Sequence, residues 1–457
     1  MFSGIFNKNI TFNAFSDKPF TFLDPQAHDN LAAIIEINLI ENGNRASREN
    51  WQLKQLNNLF KFAFKESAFW NSRIPDQITN FDNLKNIPTL SRAELSSQVV
   101  REGSLMKKYI SSEPQAYSSS GSTGTAVRVY CCPQNGRYNE LRSLAQYFIE
   151  ERYLNDNRTF IKPADGDQHL RSKNIFVEHF DNWLGDLNSI FHSGKYKIIH
   201  FAKDEDALLE EILKDRVGYL ACLGTHMDIL LKKYPLDLKD KLGIRMWLHH
   251  SDNQDQKRIE LLSKLEIPIS SSYSSSEVGP IAIECCKSPG NYHVVHSNVI
   301  VEIDNNSAIS FNGEVVHKLL ITHIHSYATP IIRYDVGDYA TFKMTCPCGH
   351  DGITLSNIYG RSKFFIKKLN GELIPFRIFS KPLSDIISFK EFFISQPDLN
   401  TIAIEISGAL ILSDEEKMNI TKFIHELSDN SFNVQIKLVK NIDWSKNPKR
   451  LPFISYV

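Results

Sequence analysis

YSSSGSTGT, residues 117–125, is the stretch whose reading decides how the rest of the chain is understood. Two glycines, Gly121 and Gly124, stand among the hydroxyls of Ser118, Ser119, Ser120, Ser122 and Thr123. Without bulky side chains, the backbone N–H groups of such a loop can turn inward around an anion, and the hydroxyls add donors. The apolar VRVYCC (127–132) follows and predicts a strand, so the loop is expected beside a sheet with a phosphate over it. The same composition suits a flexible Ser/Gly linker, and the stretch alone does not choose.

Working outward, a chain of 457 residues predicts two or three domains. Apolar residues make up 42% and charged residues 23%, enough for an ordinary globular core. A net charge of −1 argues against nucleic acid or an anionic membrane as partner. No apolar run reaches the roughly 18 residues of a membrane span. The opening MFSGIFNKNITF has neither the charged nor the apolar part of a secretory signal. Six of the seven cysteines fall in close pairs, Cys131–Cys132, Cys285–Cys286 and Cys346–Cys348, unlike a secreted disulfide framework, so a cytoplasmic location is expected.

Residues 50–70 place Leu53, Leu56, Leu59, Phe60 and Phe64 on one helical stripe. In NIPTLSRAEL, Ser91 can cap a short helix with Glu94 three residues on. A helix over about 137–153 is followed by KNIFVEH (173–179), a strand, and DEDALLEEILKD (204–215), a helix. VGYLACL (217–223), a helix over 226–233 and GIRMWLHH (243–250) continue the alternation, which predicts α/β layers around a largely parallel sheet. From Ile267 shorter strands predict a β-rich subdomain that completes a large domain over residues 1–361. Residues 362–457, with TIAIEISGALIL (401–412), a helix (414–427) and a strand (432–439), predict a small α+β domain.

Two further segments carry chemistry. SSSYSSSEVG (270–279) ends a run of hydroxyls with Glu277, and a carboxylate beside phosphate is what Mg²⁺–nucleotide chemistry needs. In ATPIIRYDVGDYA (328–340), Asp338 follows a glycine after an apolar strand, where a carboxylate can accept from two ribose hydroxyls. Arg333 brings a permanent cation to the same segment.

In this order SSSGSTGT, YSSSEVG, PIIRYDVGD and YGRSKFF resemble the adenylate-forming superfamily, and specifically its phenylacetate–CoA ligase and CapK-like branch. The likeness runs from about residue 50 to 457, including NIPTLSRAEL and the closing NPKRLPFIS, and is weakest over 150–245. It implies ATP- and Mg²⁺-dependent activation of an aromatic or otherwise apolar carboxylic acid to an acyl-adenylate, then transfer to a thiol. Coenzyme A is the first acceptor implied, with a carrier protein or an amine behind it, and a homodimer is allowed.

Carried over by position, Ser119, Ser120, Gly121, Ser122, Thr123, Gly124 and Thr125 would hold the β- and γ-phosphates, Thr125 standing where lysine is common. Tyr273 would stack on adenine, Ser276 would touch the α-phosphate, and Glu277 would ligate Mg²⁺. Asp338 would hold the ribose, with Arg333 in its motif, and Asp252 of HHSD would stand in for an acid beside adenine. Lys449 would reach the attacked carboxylate and α-phosphate, with Lys446 as competitor, and the small domain would turn about Lys363. Trp247, His249 and His250 would wall the acyl pocket.

Cys285 and His293, with Cys346 and Cys348 of CPCGH, offer three thiolates and an imidazole for a closed structural zinc site. The same pattern is similar to that of the branch, and Cys286 or His350 could substitute. The Cys131–Cys132 pair reads as core, and nothing completes a metal site around His323 and His325. The departures at Thr125, HHSD and NPKR also suit a nucleotide-binding scaffold that has lost turnover.

Overall fold

The computed structural model describes residues 25–118, 127–163, 175–189, 191–201, 204–249, 256–311, 314–359, 365–375, 383, 385–428, 432–443 and 453–457. Its largest element is a sheet of twelve strands whose two halves have different origins. In the first half, Arg158–Pro163 runs parallel to both Tyr196–Phe201 and Gly218–Cys222. Gly218–Cys222 is parallel to Ile244–His249, which is parallel to the start of Ile269–Ser275. Parallel neighbours need long crossovers, and the helices Glu205–Ile212, Gly224–Lys233 and Gln256–Lys264 lie within them. Leu208, Ile212, Leu230 and Leu262 of those helices share a buried cluster with Leu220 and Trp247 of the strands.

The expected parallel sheet is therefore present, with one exception. KNIFVEH does form a strand, Ile175–Phe180, but it closes the edge antiparallel to Tyr196–Phe201. The second half is antiparallel, as the shorter strands after Ile267 predict. It uses Gly279–Glu284, Asn291–Val294, Val299–Phe311, Glu314–His323, Ile331–Lys343 and Thr354–Tyr359. The helix Arg45–Glu66 buries Leu56, Leu59, Phe60 and Ala63 in a cluster with Val299, Ile321 and Ile332. Its Gln52 donates to the carbonyls of His296 (2.8 Å) and Val299 (3.1 Å), so the helix is fixed by polar bonds as well as by packing.

The two halves meet within one strand. Trp247↔Ile269 and His249↔Ser271 are parallel pairs, whereas Ser272↔Ile283 and Tyr273↔Ala282 are antiparallel. Open α/β sheets bind ligands where the strand order switches, outside the carboxyl ends of the strands. The turn Ser276–Val278 lies at that end of Ile269–Ser275.

A separate sheet of four strands lies in the C-terminal part: Asn433–Val439, Thr401–Ser407, Glu391–Asp398 and Phe453–Ser455 in that order. The helix Asp414–Ser428 covers it, burying Ile420, Phe423 and Ile424 against Ile402, Ile404 and Ile406. Of the apolar run 401–412 only the first half is strand. Gly408, at φ +88°, turns the chain away, and Leu410 and Ile411 stand 95% and 84% exposed. No helix among the described residues is long and apolar enough to cross a membrane.

Candidate active site

The switch strand is held by its own hydroxyls. Ser270 Oγ accepts from Arg152 Nη2 at 2.8 Å, and Ser271 Oγ lies 3.0 Å from His249 Nδ1. Serines that would otherwise leave polar atoms unpaired in a sheet thus pin the strand to its neighbours. Beyond them, Tyr273 donates its phenol proton to Asp338 Oδ2 at 2.6 Å. Asp338 is brought there by a bulge in Ile331–Lys343. Lys318 pairs with Tyr339 while Leu320 pairs with Asp335, so three residues, 336–338, stand opposite Leu319 and two of them are extra. Gly337 has φ +84° and donates its N–H to Asp335 Oδ1 at 2.9 Å. The bulge re-aims the acid out of the ladder.

At the other side of the turn, Val278 N–H bonds Ser275 Oγ at 3.2 Å. Ser276 is exposed, whereas Glu277 is buried and its Oε1 accepts from Arg92 Nη1 at 2.8 Å. Arg92 is the first residue of the helix Arg92–Glu102, capped as the sequence predicts by Ser91 and Glu94. The cap therefore does more than start a helix, since it sets the arginine against Glu277. Sequence reasoning recognised the segment and missed the residue.

A cavity of about 240 Å³ adjoins this turn. Ser276, Glu277, Tyr117, Val129, His323 and His325 are among the residues that line it. Gln115–Ser118 and Arg128–Cys131 pair antiparallel with Tyr117 opposite Val129, so the hydroxyl-rich stretch connects two strands that border the cavity. Cys131 and Cys132, read from sequence as core, also line it. His323 and His325 are the second omission. Their alternation in THIH was visible, but only the fold brings them into the same cavity lining as Glu277. Burial, with Arg142 near, holds His325 down to about 4 and His323 well below its usual value, so both are neutral at pH 7.

Several expected positions are used differently. Arg333 is engaged within the protein: it is buried at φ +52°, its Nε bonds both Glu302 oxygens (3.1 and 3.2 Å), and its Nη1 bonds the Ile87 carbonyl. It ties the segment before the capped helix to the sheet. Trp247 is fully buried in the parallel half and donates Nε1–H to the Cys222 carbonyl at 3.2 Å, so it is core and not pocket wall. His249 is buried against Ser271, away from the cavity lining. Ser119, Ser120, Gly121, Ser122, Thr123, Gly124, Thr125, His250, Asp252, Gly360, Arg361, Lys363, Lys446 and Lys449 lie outside the described residues, as does the expected boundary at 361.

The cysteine reading meets its geometry. One ligand atom from each of Cys285, His293, Cys346 and Cys348 lies within 4.8 Å of the other three. Cys348 Sγ is 3.4 Å from His293 Nε2 and accepts the His350 N–H at 3.4 Å. The Gly349 N–H to Cys346 carbonyl bond (2.9 Å) folds CPCGH into a tight turn that presents both sulfurs. Cys286 is exposed, and His350 stacks on His293 (4.1 Å between centroids), so neither substitute belongs to the group. Burial pushes the Cys285 thiol up to about 12. Ligands around a tetrahedral zinc stand roughly 3.8 Å apart for bonds of about 2.3 Å, so this donor set fits such an ion with small adjustment. None of the seven cysteines is in a disulfide.

No protein-family model matches the chain, and no curated protein matches it in sequence. Solved structures do match. The 2-hydroxyisobutyryl-CoA ligase in its postadenylation state with 2-HIB-AMP is 10% identical, with 88% of each chain covered and a TM-score of 0.63. Its open conformation with 2-HIB-AMP and CoA is 10% identical, covering 91% of this chain and 93% of that one, with a TM-score of 0.55. The GH3.15 acyl acid amido synthetase is 12% identical over 86% of each chain, again with a TM-score of 0.55. At such identities the likeness is one of fold: a large mixed α/β part with a separate C-terminal domain, as in adenylate-forming enzymes.

Proposed function

We propose that this chain activates a carboxylic acid with ATP and Mg²⁺, releasing pyrophosphate, and passes the acyl group to a thiol, that of coenzyme A before that of a carrier protein. One observation carries the reading. The Tyr273–Asp338 and Arg92–Glu277 pairs flank one strand end, at the switch point of a sheet folded like that of acyl-CoA ligases.

In this reading a carboxylate oxygen attacks the α-phosphorus and the bond to the departing pyrophosphate breaks. Tyr273 stacks on adenine, Asp338 accepts from the ribose hydroxyls, and Ser276 donates to the α-phosphate. Glu277 would help hold Mg²⁺, which would supply positive charge for the phosphates. Ser119–Thr125 wrap those phosphates, Asp252 lies beside adenine, and Lys449 stabilises charge where the bond forms. Residues 362–457 act as the small domain that turns about Lys363. Cys285, His293, Cys346 and Cys348 would hold a zinc in a structural role. The acid has an aromatic frame, and the free cysteines suit a reducing cytoplasm.

Acid-dependent ATP–pyrophosphate exchange tests the reading. Exchange that Glu277→Ala and Lys449→Ala abolish supports it. Folded, ATP-binding protein with no exchange across a broad acid panel overturns it and leaves the nucleotide-binding scaffold. A second acceptor class, an amine, is favoured by the likeness to an amido synthetase over 86% of each chain. Comparing coenzyme A with amino acids as acceptors of the trapped adenylate decides between them.

A further inference from the structure

We propose that the cavity beside Glu277 receives the side group of the activated acid, and that it selects a small aromatic acid carrying a hydroxyl or similar hydrogen-bonding substituent. This rests on the adenylation reading above and narrows its substrate. Three features of the walls point to it.

Size is the first. Drug-sized ligands occupy pockets of roughly 300–1,000 Å³, and this cavity holds about 240 Å³. A benzoate-like frame fits that space, while a long acyl chain does not.

Charge is the second. Among the described lining residues there is no lysine or arginine, and the single carboxylate, Glu277, is paired with Arg92. Polyphosphate would call for cations. Uncharged walls suit the organic part of the substrate, with its carboxylate directed at the Ser276–Glu277 rim where the α-phosphate is expected.

The third is unspent hydrogen-bonding capacity. Asn135 is 6% exposed, lines the cavity, and its Oδ1 accepts no hydrogen bond. Its Nδ2 lies 3.5 Å from His323 Nε2, a long contact that a better partner can replace. His325 Nε2 lies 3.1 Å from the Ser297 carbonyl, so that nitrogen carries the proton and Nδ1 is left as an acceptor. Val129, Val278 and Ile331 supply the apolar contacts for a ring. Buried polar groups left unpaired are costly, so such a wall discriminates against an isostere that offers no donor.

The test compares each hydroxybenzoate isomer with the matching toluate, using the full chain. Two readouts are taken: acid-dependent ATP–pyrophosphate exchange, and equilibrium binding of each acid beside a non-hydrolysable ATP analogue. At least one hydroxybenzoate should exceed its toluate by tenfold or more in both. Asn135→Leu, which removes the unpaired Oδ1, should bring the ratio near unity. His325→Phe, which removes the Nδ1 acceptor, serves if that variant does not fold. Exchange that favours the toluates, or a preference that both folded variants retain, overturns the proposal while adenylation stands. No exchange with any acid removes adenylation. Binding then decides the cavity by itself, and equal affinity for both members of every pair overturns it.

Discussion

The Tyr273 phenol donates to Asp338 Oδ2 at 2.6 Å, joining the switch strand to a bulge in the antiparallel half of the same sheet. The bond gives the acid a fixed direction before any nucleotide arrives, and the ring keeps its face for stacking. A hydrogen bond to a charged group contributes about 1.5–3 kcal/mol. Tyr273→Phe retains the ring, so its KM for ATP is expected to rise roughly tenfold with kcat nearly unchanged. Tyr273→Ala, which also removes the stacking surface, should do worse on both. Steady-state exchange kinetics at varied ATP measure the split, and an unchanged KM in the Phe variant would show that the hydroxyl does not position Asp338.

Arg92 and Glu277 form the second pair. Glu277 has a side chain only 2% exposed, and Arg92 is 26% exposed at the helix start. Removing one partner of a buried pair leaves a desolvated charge behind. Arg92→Ala is therefore expected to destabilise the fold by about 2 kcal/mol, the partial exposure of Arg92 moderating the loss. It should also raise the Mg²⁺ concentration needed for half-maximal exchange, because the carboxylate loses its fixed direction. Urea unfolding and a Mg²⁺ titration check the two effects. Arg92→Lys keeps the charge without the fork and should fall between.

How far the sequence carried this site follows from what each residue depends on. Ser91 with Glu94 was legible because a helix cap is short-range and announces itself in residue type. The parallel half was legible from alternating periodicity, yet its edge strand Ile175–Phe180 was not distinguishable from its neighbours, since direction leaves no mark in composition. Arg333 and Trp247 show a related ambiguity. A guanidinium looks the same whether it awaits a ligand or binds Glu302 and a carbonyl, and an indole beside two histidines looks like a pocket until the strand register points it into the core. His323 and Asn135 are 188 positions apart, and no local pattern joins them.

The cysteine cluster yields a metal prediction. Purified chain is expected to carry a single zinc, and chelation or Cys346→Ser should remove it and lower the melting temperature, because metal binding contributes directly to the folding free energy. Exchange per folded molecule should be retained below the new transition, since none of the four ligand residues lines the cavity or belongs to the Tyr273–Asp338 pair. Metal analysis by mass spectrometry, paired with melting curves, checks both parts. Stoichiometric zinc that survives in the Cys346→Ser variant would refute the ligand set.

Acid should weaken the fold through the cavity wall. His325 is held at about 4, against an ordinary value of 6.5, by burial and by Arg142, only partly offset by its bond to the Ser297 carbonyl. The folded value lies below the unfolded one, so between them the unfolded chain binds the extra proton. The stabilising contribution is full above the unfolded value and is lost as pH falls from about 6.5 towards 4. At pH 5 this one group accounts for about 2 kcal/mol of lost stability. His323 shifts in the same direction and adds to the loss. The unfolding free energy of the unaltered chain should drop between pH 7 and pH 5, and His325→Gln should lose about 2 kcal/mol less over that interval. Carboxylate titration affects both chains alike, so the difference between the two slopes isolates the imidazole. Equal slopes would mean that His325 titrates in the folded chain as it does in the unfolded one, and that burial does not hold it neutral.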